Sequence, residues 1–196
     1  MIDISAMLPA ALTVPDLTEA EFLELCQKFP EAMLEYTPDG TILIMPPTDP
    51  ETGARGASIV IQLGNWSERE GRGMVIGADA GFRLPGGSRR SPDAAWFDAA
   101  RWRAAKRPGV RYPPFAPEFV IELRSPDDRL PALQSKMQEY IDNGVQLAWL
   151  VDPQSRTVAI YRPGREPETL TDPTEVSGEG PVEGFTLSLS RIFTVA

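Results

Sequence analysis

Pro117-Glu118-Phe119-Val120-Ile121-Glu122-Leu123-Arg124-Ser125-Pro126-Asp127-Asp128 is the stretch that decides how this chain is read. Its centre is a run of β-favouring apolar residues, closed by a proline-containing turn, and reads as a buried central strand. Alternation along a strand sends Phe119, Ile121 and Leu123 to one face. Glu118, Val120, Glu122 and, if the strand continues, Arg124 go to the other. Glu122 therefore stands inside the most hydrophobic strand of the sequence. An ionised carboxylate there is costly unless it is paired or bound to metal. Asp127 and Asp128 suit the entry to a helix, where the N-terminal dipole favours acids, and Asp127 is also placed to shape the mouth of a site.

Outward from this strand, the chain alternates helices and strands. Leu130 to Asn143 has Leu130, Leu133, Met137, Tyr140 and Ile141 as an apolar stripe, ended by Asn143-Gly144. Gln146 to Val151 and Thr157 to Tyr161 read as strands around an Asp152-Pro153 turn. Phe185 to Leu189 is a candidate last strand. On the N-terminal side, Thr18-Glu19-Ala20-Glu21 matches a capping box opening a helix to about Lys28. Ala32 to Tyr36 and Thr41 to Met45 read as a hairpin around Asp39-Gly40, with Met33 and Glu35 on one face. Gly53 to Glu70 is helical by the spacing of Ile59, Leu63 and Trp66. Strands at Met74 to Ile76, Ala80 to Leu84 and Ala94 to Phe97 follow, with Pro85-Gly86-Gly87 as a turn. Asp98 to Lys106 completes the pattern as a short helix. The expected class is a single α/β domain over residues 1–196, with a helical N-terminal segment over 1–30.

Composition narrows the chemistry. The hydrophobic fraction of 42% suits a folded core, and no apolar run approaches the ~20 residues of a membrane span. The N-terminus lacks the basic start of a secretory signal, and the single Cys26 has no intrachain partner, so a cytoplasmic setting is expected. The chain contains no histidine. That excludes Ser-His-Asp and Cys-His catalysis and most zinc sites. Carboxylates remain, and they favour the hard cations Mg²⁺ or Mn²⁺. The net charge is −9, which disfavours diffuse binding to nucleic acid. Yet from Arg83 to Arg111 eight basic residues, including Arg89 and Arg90, face only Asp93 and Asp98, which makes this stretch +6.

Asp93, after Pro92 at the start of a strand, and Glu122 are the two acids at positions where apolar residues belong. An acid-X-cation pair, Glu122 and Arg124, beside a second acid from a neighbouring strand is the minimum kit for metal-assisted phosphodiester hydrolysis. The carboxylates hold the ion and the cation stabilises developing charge. The same residues have plainer readings. Glu122 and Arg124 also describe a surface pair, Asp93 a turn residue, Glu35 a solvent-facing acid and Asp152 only a turn. Lys136 flanks the helix stripe, where it reaches toward Glu122 or snorkels at the core boundary.

On these residues the chain resembles the Uma2 family of restriction-type endonucleases within the PD-(D/E)XK nuclease superfamily. The residues that carry the resemblance are Glu35, Arg83-Leu84-Pro85-Gly86-Gly87, Ser91-Pro92-Asp93 and the whole stretch from Pro117 to Asp128. It continues through Lys136-Met137-Gln138-Glu139-Tyr140, Asn143-Gly144, Trp149 and Val151-Asp152-Pro153, from about Glu31 to Phe193 in all. The resemblance implies a mixed β-sheet flanked by helices, with the core at about 31–193. It implies that Asp93 and Glu122 bind Mg²⁺ or Mn²⁺ with the Leu123 carbonyl, assisted by Glu35. Arg124 falls on the lysine position of the motif, and Lys136 matches a lysine that could replace it. Arginine cannot act as a base, whereas lysine can.

The expected function is a metal-dependent DNA endonuclease. Arg83, Arg89 and Arg90 would lie on phosphates, Arg124 and Lys136 would both approach Glu122, and a two-fold homodimer would cut both strands. The competing expectation is a catalytically weak or inactive protein of the same fold that binds nucleic acid or a protein partner. A structural domain with a buried acid network is the third.

Overall fold

The structure, a computed structural model, describes residues 10–30, 32–45 and 47–194. Strand β1 (Ala10–Thr13) precedes helix α1 (Glu19–Lys28), and the hairpin β2 (Met33–Tyr36) and β3 (Thr41–Met45) follows. The long helix α2 (Pro50–Glu70) leads to β4 (Gly73–Gly77), the short β5 (Phe82–Arg83) and β6 (Arg89–Arg90), then β7 (Ala94–Asp98) and α3 (Ala99–Ala105). Strand β8 (Phe119–Leu123), helix α4 (Leu130–Asp142) and strand β9 (Leu147–Asp152) form the central crossover. β10 (Thr157–Tyr161), β11 (Glu168–Thr171), β12 (Glu175–Ser177), β13 (Thr186–Ser188) and α5 (Ser190–Phe193) complete the chain.

The main sheet has six strands in the order β11-β10-β9-β8-β7-β4. Only β8 and β9 run parallel, and the other neighbours are antiparallel, so the sheet is mixed, as expected. A parallel pair needs a crossover, and α4 supplies it. One face of this sheet carries Phe119, Ile121, Leu123, Trp149 and Val151. It packs on Ile59, Leu63 and Trp66 of α2, with Phe185 and Leu187 closing the same core. The opposite face carries Ala95, Phe97, Val120, Ala148 and Leu150, and it packs on Met137, Tyr140 and Ile141 of α4. Alternation in β8 thus divides the strand as the sequence requires.

The second sheet has five strands, β1-β3-β2-β6-β5. Gly40 at φ +84° makes the β2–β3 turn, a conformation that favours glycine. The capping box of α1 forms: the Thr18 side chain accepts from the Glu21 N–H, and the Glu21 carboxylate accepts from the Thr18 N–H at 2.9 Å. Several short elements depart from expectation, whereas β13 falls within the expected last strand Phe185 to Leu189. β1 makes the N-terminal segment partly strand; its first nine residues lie outside the described region, as do Glu31 and Pro46. The turn at Pro85-Gly86-Gly87 joins two paired strands, with Phe82 opposite Arg90. The C-terminal tail holds β11 and the β12–β13 hairpin. Among the described residues, no helix is long and apolar enough to cross a membrane.

Candidate active site

β7 and β8 pair antiparallel with Ala94 opposite Ile121. Continuing that register by one residue sets Asp93 opposite Glu122, on the same face of the sheet. Pro92 and Asp93 are reached through Ser91, whose N–H donates to Glu35 Oε1 at 2.9 Å. The Leu123 N–H donates to Asp93 Oδ2 at 2.7 Å. This bond ties the first acid to the backbone just beyond the second.

Helix α4 lays Lys136 and Tyr140, four residues apart and so on one face, over Glu122. The Tyr140 hydroxyl donates to Glu122 Oε1 at 2.8 Å. Lys136 Nζ lies 2.9 Å from Glu122 Oε1 and 2.9 Å from Glu35 Oε1. Glu35 Oε2 accepts from Arg90 Nη1 at 2.9 Å, and Arg90 also donates to Glu139 from Nε at 3.2 Å. The result is a buried chain of alternating charge, Glu122–Lys136–Glu35–Arg90–Glu139. It links α4, β2, β6 and β8.

The electrostatics are uneven along this chain. Burial, with Glu35 and Asp93 nearby, pushes Glu122 up to about 8 even though Lys136 opposes the shift. Burial also pushes Asp93 up to about 6, against the Leu123 N–H and Lys136, with Asp128 and Glu35 adding to the rise. For Glu35 burial is outweighed by Lys136 and Arg90, which hold it below the usual carboxylate range. For Lys136 burial is outweighed by Glu122 and Glu35, which raise it. These two acids favour the protonated form of its amine.

Three sequence expectations are redrawn. Arg124 does not form its ion pair with Glu122. Its Nη1 donates to Asp152 Oδ2 at 2.8 Å, because Arg124 lies past the last residue of β8 while Asp152 ends the parallel neighbour β9. Arg89 and Arg90 are buried and spent internally, whereas Arg83 is exposed. Arg89 pairs with Glu19 at 2.7 Å and stacks over Phe22 and Tyr36. Their guanidinium groups are not offered to an external phosphate. Glu35 is 1% exposed rather than solvent-facing, and both its oxygens are engaged, so it supports Lys136 instead of standing free as a ligand.

The donor set fits a hard divalent ion. Asp93 Oδ1 and Glu122 Oε2 have no hydrogen-bond partner among the described residues. Mg²⁺ commonly takes one or two carboxylates and completes its shell with waters and phosphate oxygens. No group of three or more Asp, Glu, Cys or His side chains among the described residues forms a ready cage. The fit is to a half-open site, not an all-protein one.

A mixed sheet flanked by helices, with opposed acids from neighbouring strands beneath a lysine-bearing helix, is a nuclease-like architecture. The chain belongs to the Uma2 family, described as "Putative restriction endonuclease", whose pattern matches residues 19–190. A crystal structure from Anabaena variabilis, described as a "putative nuclease belonging to DUF820", shares the fold. Its TM-score is 0.74 at 23% identity, over 89% of this chain and 96% of that one. No curated protein matches the chain.

Proposed function

We infer that the protein is a metal-dependent DNA endonuclease of the PD-(D/E)XK type. The observation that carries this reading is the opposition of Asp93 and Glu122 on one sheet face, both raised above the usual carboxylate range by burial and by neighbouring acids. Acids so arranged are functional candidates because the strain is relieved by a bound cation. Asp93, Glu122 and the Leu123 carbonyl would hold Mg²⁺ or Mn²⁺. Such an ion, when bound, polarises a phosphate and acidifies a water. Lys136, kept protonated by its two carboxylates, presents fixed positive charge to a pentavalent phosphorus. Glu35 and Arg90 hold it there.

DNA would track along the exposed cations. From Ala99 to Pro117 there are five basic residues and no acid. Arg103, Lys106, Arg107 and Arg111 are exposed and make no ion pair among the described residues. With Arg83, these replace Arg89 and Arg90 as the phosphate contacts. One site per chain cuts one strand, so the active species is a homodimer, which light scattering of the concentrated protein checks. The test of the activity is cleavage of supercoiled and linear DNA with Mg²⁺ or Mn²⁺. Wild type should cut and Asp93→Ala should lose at least about a thousandfold in rate. Equal cutting by both would refute it.

One observation favours the alternative of a nuclease-fold binding protein. Glu122 is already bonded to Lys136 and Tyr140 through the same oxygen. Metal-independent DNA binding with no cutting in either ion would select that alternative.

A further inference from the structure

Asp152 looks like a turn residue before Pro153, yet it is 3% exposed and accepts four hydrogen bonds. Its two oxygens divide the work. Oδ1 takes the N–H groups of Gln154 at 2.9 Å and Ser155 at 3.3 Å, and so builds the turn after β9. Oδ2 takes Arg124 Nη1 at 2.8 Å and the Ser155 hydroxyl at 2.7 Å. Burial opposes the charge on Asp152, but Ser155 and Arg124 outweigh it and keep the group ionised below its ordinary range.

Arg124 is held by only one corner. Its Nε is buried and has no hydrogen-bond partner, and Nη2 has none among the described residues. Nε is closed off from solvent, but the side chain keeps 19% exposure, which leaves Nη2 as the corner for an outside phosphate oxygen. A buried donor left unsatisfied costs about 1–3 kcal/mol. Here it belongs to a rigidly anchored cation one residue beyond Leu123, whose N–H is bonded to Asp93.

We propose that Arg124 and Asp152 form a phosphate subsite at the ends of β8 and β9, in which Asp152 is a positioning residue that fixes the guanidinium so that its Nη2 donates to a non-bridging oxygen of one DNA phosphate. The proposal rests on the nuclease reading for the identity of the polyanion. It separates two duties assigned to one motif cation: Lys136 serves the acids, and Arg124 grips the backbone beside them.

Asp152→Asn tests this with a sign that bulk charge cannot mimic. The amide keeps Oδ1 for the turn and replaces Oδ2, the acceptor of Arg124 and of the freely rotating Ser155 hydroxyl. It also deletes a negative charge, so long-range electrostatics alone would strengthen DNA binding. Positioning predicts the reverse. In metal-free buffer, Asp152→Asn should bind a short duplex about tenfold more weakly than wild type while its circular dichroism still reports the folded state. Its salt slope should fall by about one unit, the signature of one lost phosphate contact. Arg124→Ala should do the same, and the double variant should lose no more than either alone, because both remove one contact. Tighter or unchanged binding by Asp152→Asn, or additive losses in the double variant, would overturn the subsite. Coupled losses in a protein that never cuts with Mg²⁺ would sink the nuclease reading and leave the subsite standing. No duplex binding by wild type would overturn both.

Discussion

The two faces of the six-stranded sheet are built from the same strands and do opposite things. Beneath α2, Phe119, Ile121, Trp149 and Phe185 form a dry aromatic core, with Phe119 edge-on to Trp149 at 4.8 Å between ring centroids. Beneath α4, an equally buried apolar layer gives way at one end to Asp93, Glu122, Lys136 and Tyr140. The difference teaches where this fold tolerates charge. Glu122 is admitted near the end of β8, where α4 supplies the Lys136 cation and the Tyr140 hydroxyl. One face is a continuous apolar core, and the other interrupts its apolar layer with charge.

Substitutions on the two faces should respond differently to pH. Phe119→Ala removes a fully buried ring from the aromatic core and should cost about 3–5 kcal/mol in urea unfolding, equally at pH 5 and pH 8. Lys136→Met should cost a comparable amount, about 3–5 kcal/mol, at pH 8, because it strands Glu122 and Glu35 in a buried site. At pH 5 the loss should shrink, since carboxylates without their cation take up protons. A pH-independent loss for Lys136→Met would mean that the two faces differ only in name.

Asp93→Asn should go the other way. Asp93 and Glu122 have folded pKa values raised to about 6 and about 8. Their contribution to stability is therefore full below the ordinary carboxylate range and is lost as pH rises through those values. The metal-free wild type should lose melting temperature between pH 5 and pH 8.5, and Asp93→Asn should flatten the early part of that decline. A steeper decline in the variant would contradict the assignment. The smallest effect is on the exposed cations. Replacing Lys106 and Arg107 with alanine should leave melting unchanged and lower the salt slope of DNA binding by about one unit per lost contact.

Much of this contrast is visible in the sequence because it is local. Two-residue alternation in β8 separates Ile121 from Glu122, and helical spacing places Lys136 beside the stripe that ends in Tyr140. What escapes is pairing between distant segments. Arg89 and Arg90 look like a solvated doublet, and only the fold reveals their partners Glu19, Glu35 and Glu139, which lie 49 to 70 residues away. Asp152-Pro153 has the composition of a turn and does make one, while its second oxygen holds Arg124 across the parallel pair. Tyr140 reads as apolar stripe, and the hydroxyl that reaches Glu122 carries no signal in a periodicity count. β1 and β11 leave no clear pattern in the sequence, because four-residue strands on sheet edges draw their identity from their neighbours.

On the proposed function, the acidic end of the α4 face is a divalent-cation site. Calorimetric titration of Mn²⁺ at pH 7, repeated in buffers of different ionisation heat, tests it most directly. Wild type should bind about one ion per chain and release a proton as it does so, because Glu122 is largely protonated below about 8. Glu122→Gln should bind far more weakly and release none. Saturable binding with the same proton release in Glu122→Gln, or no binding heat in the wild type, would contradict the account.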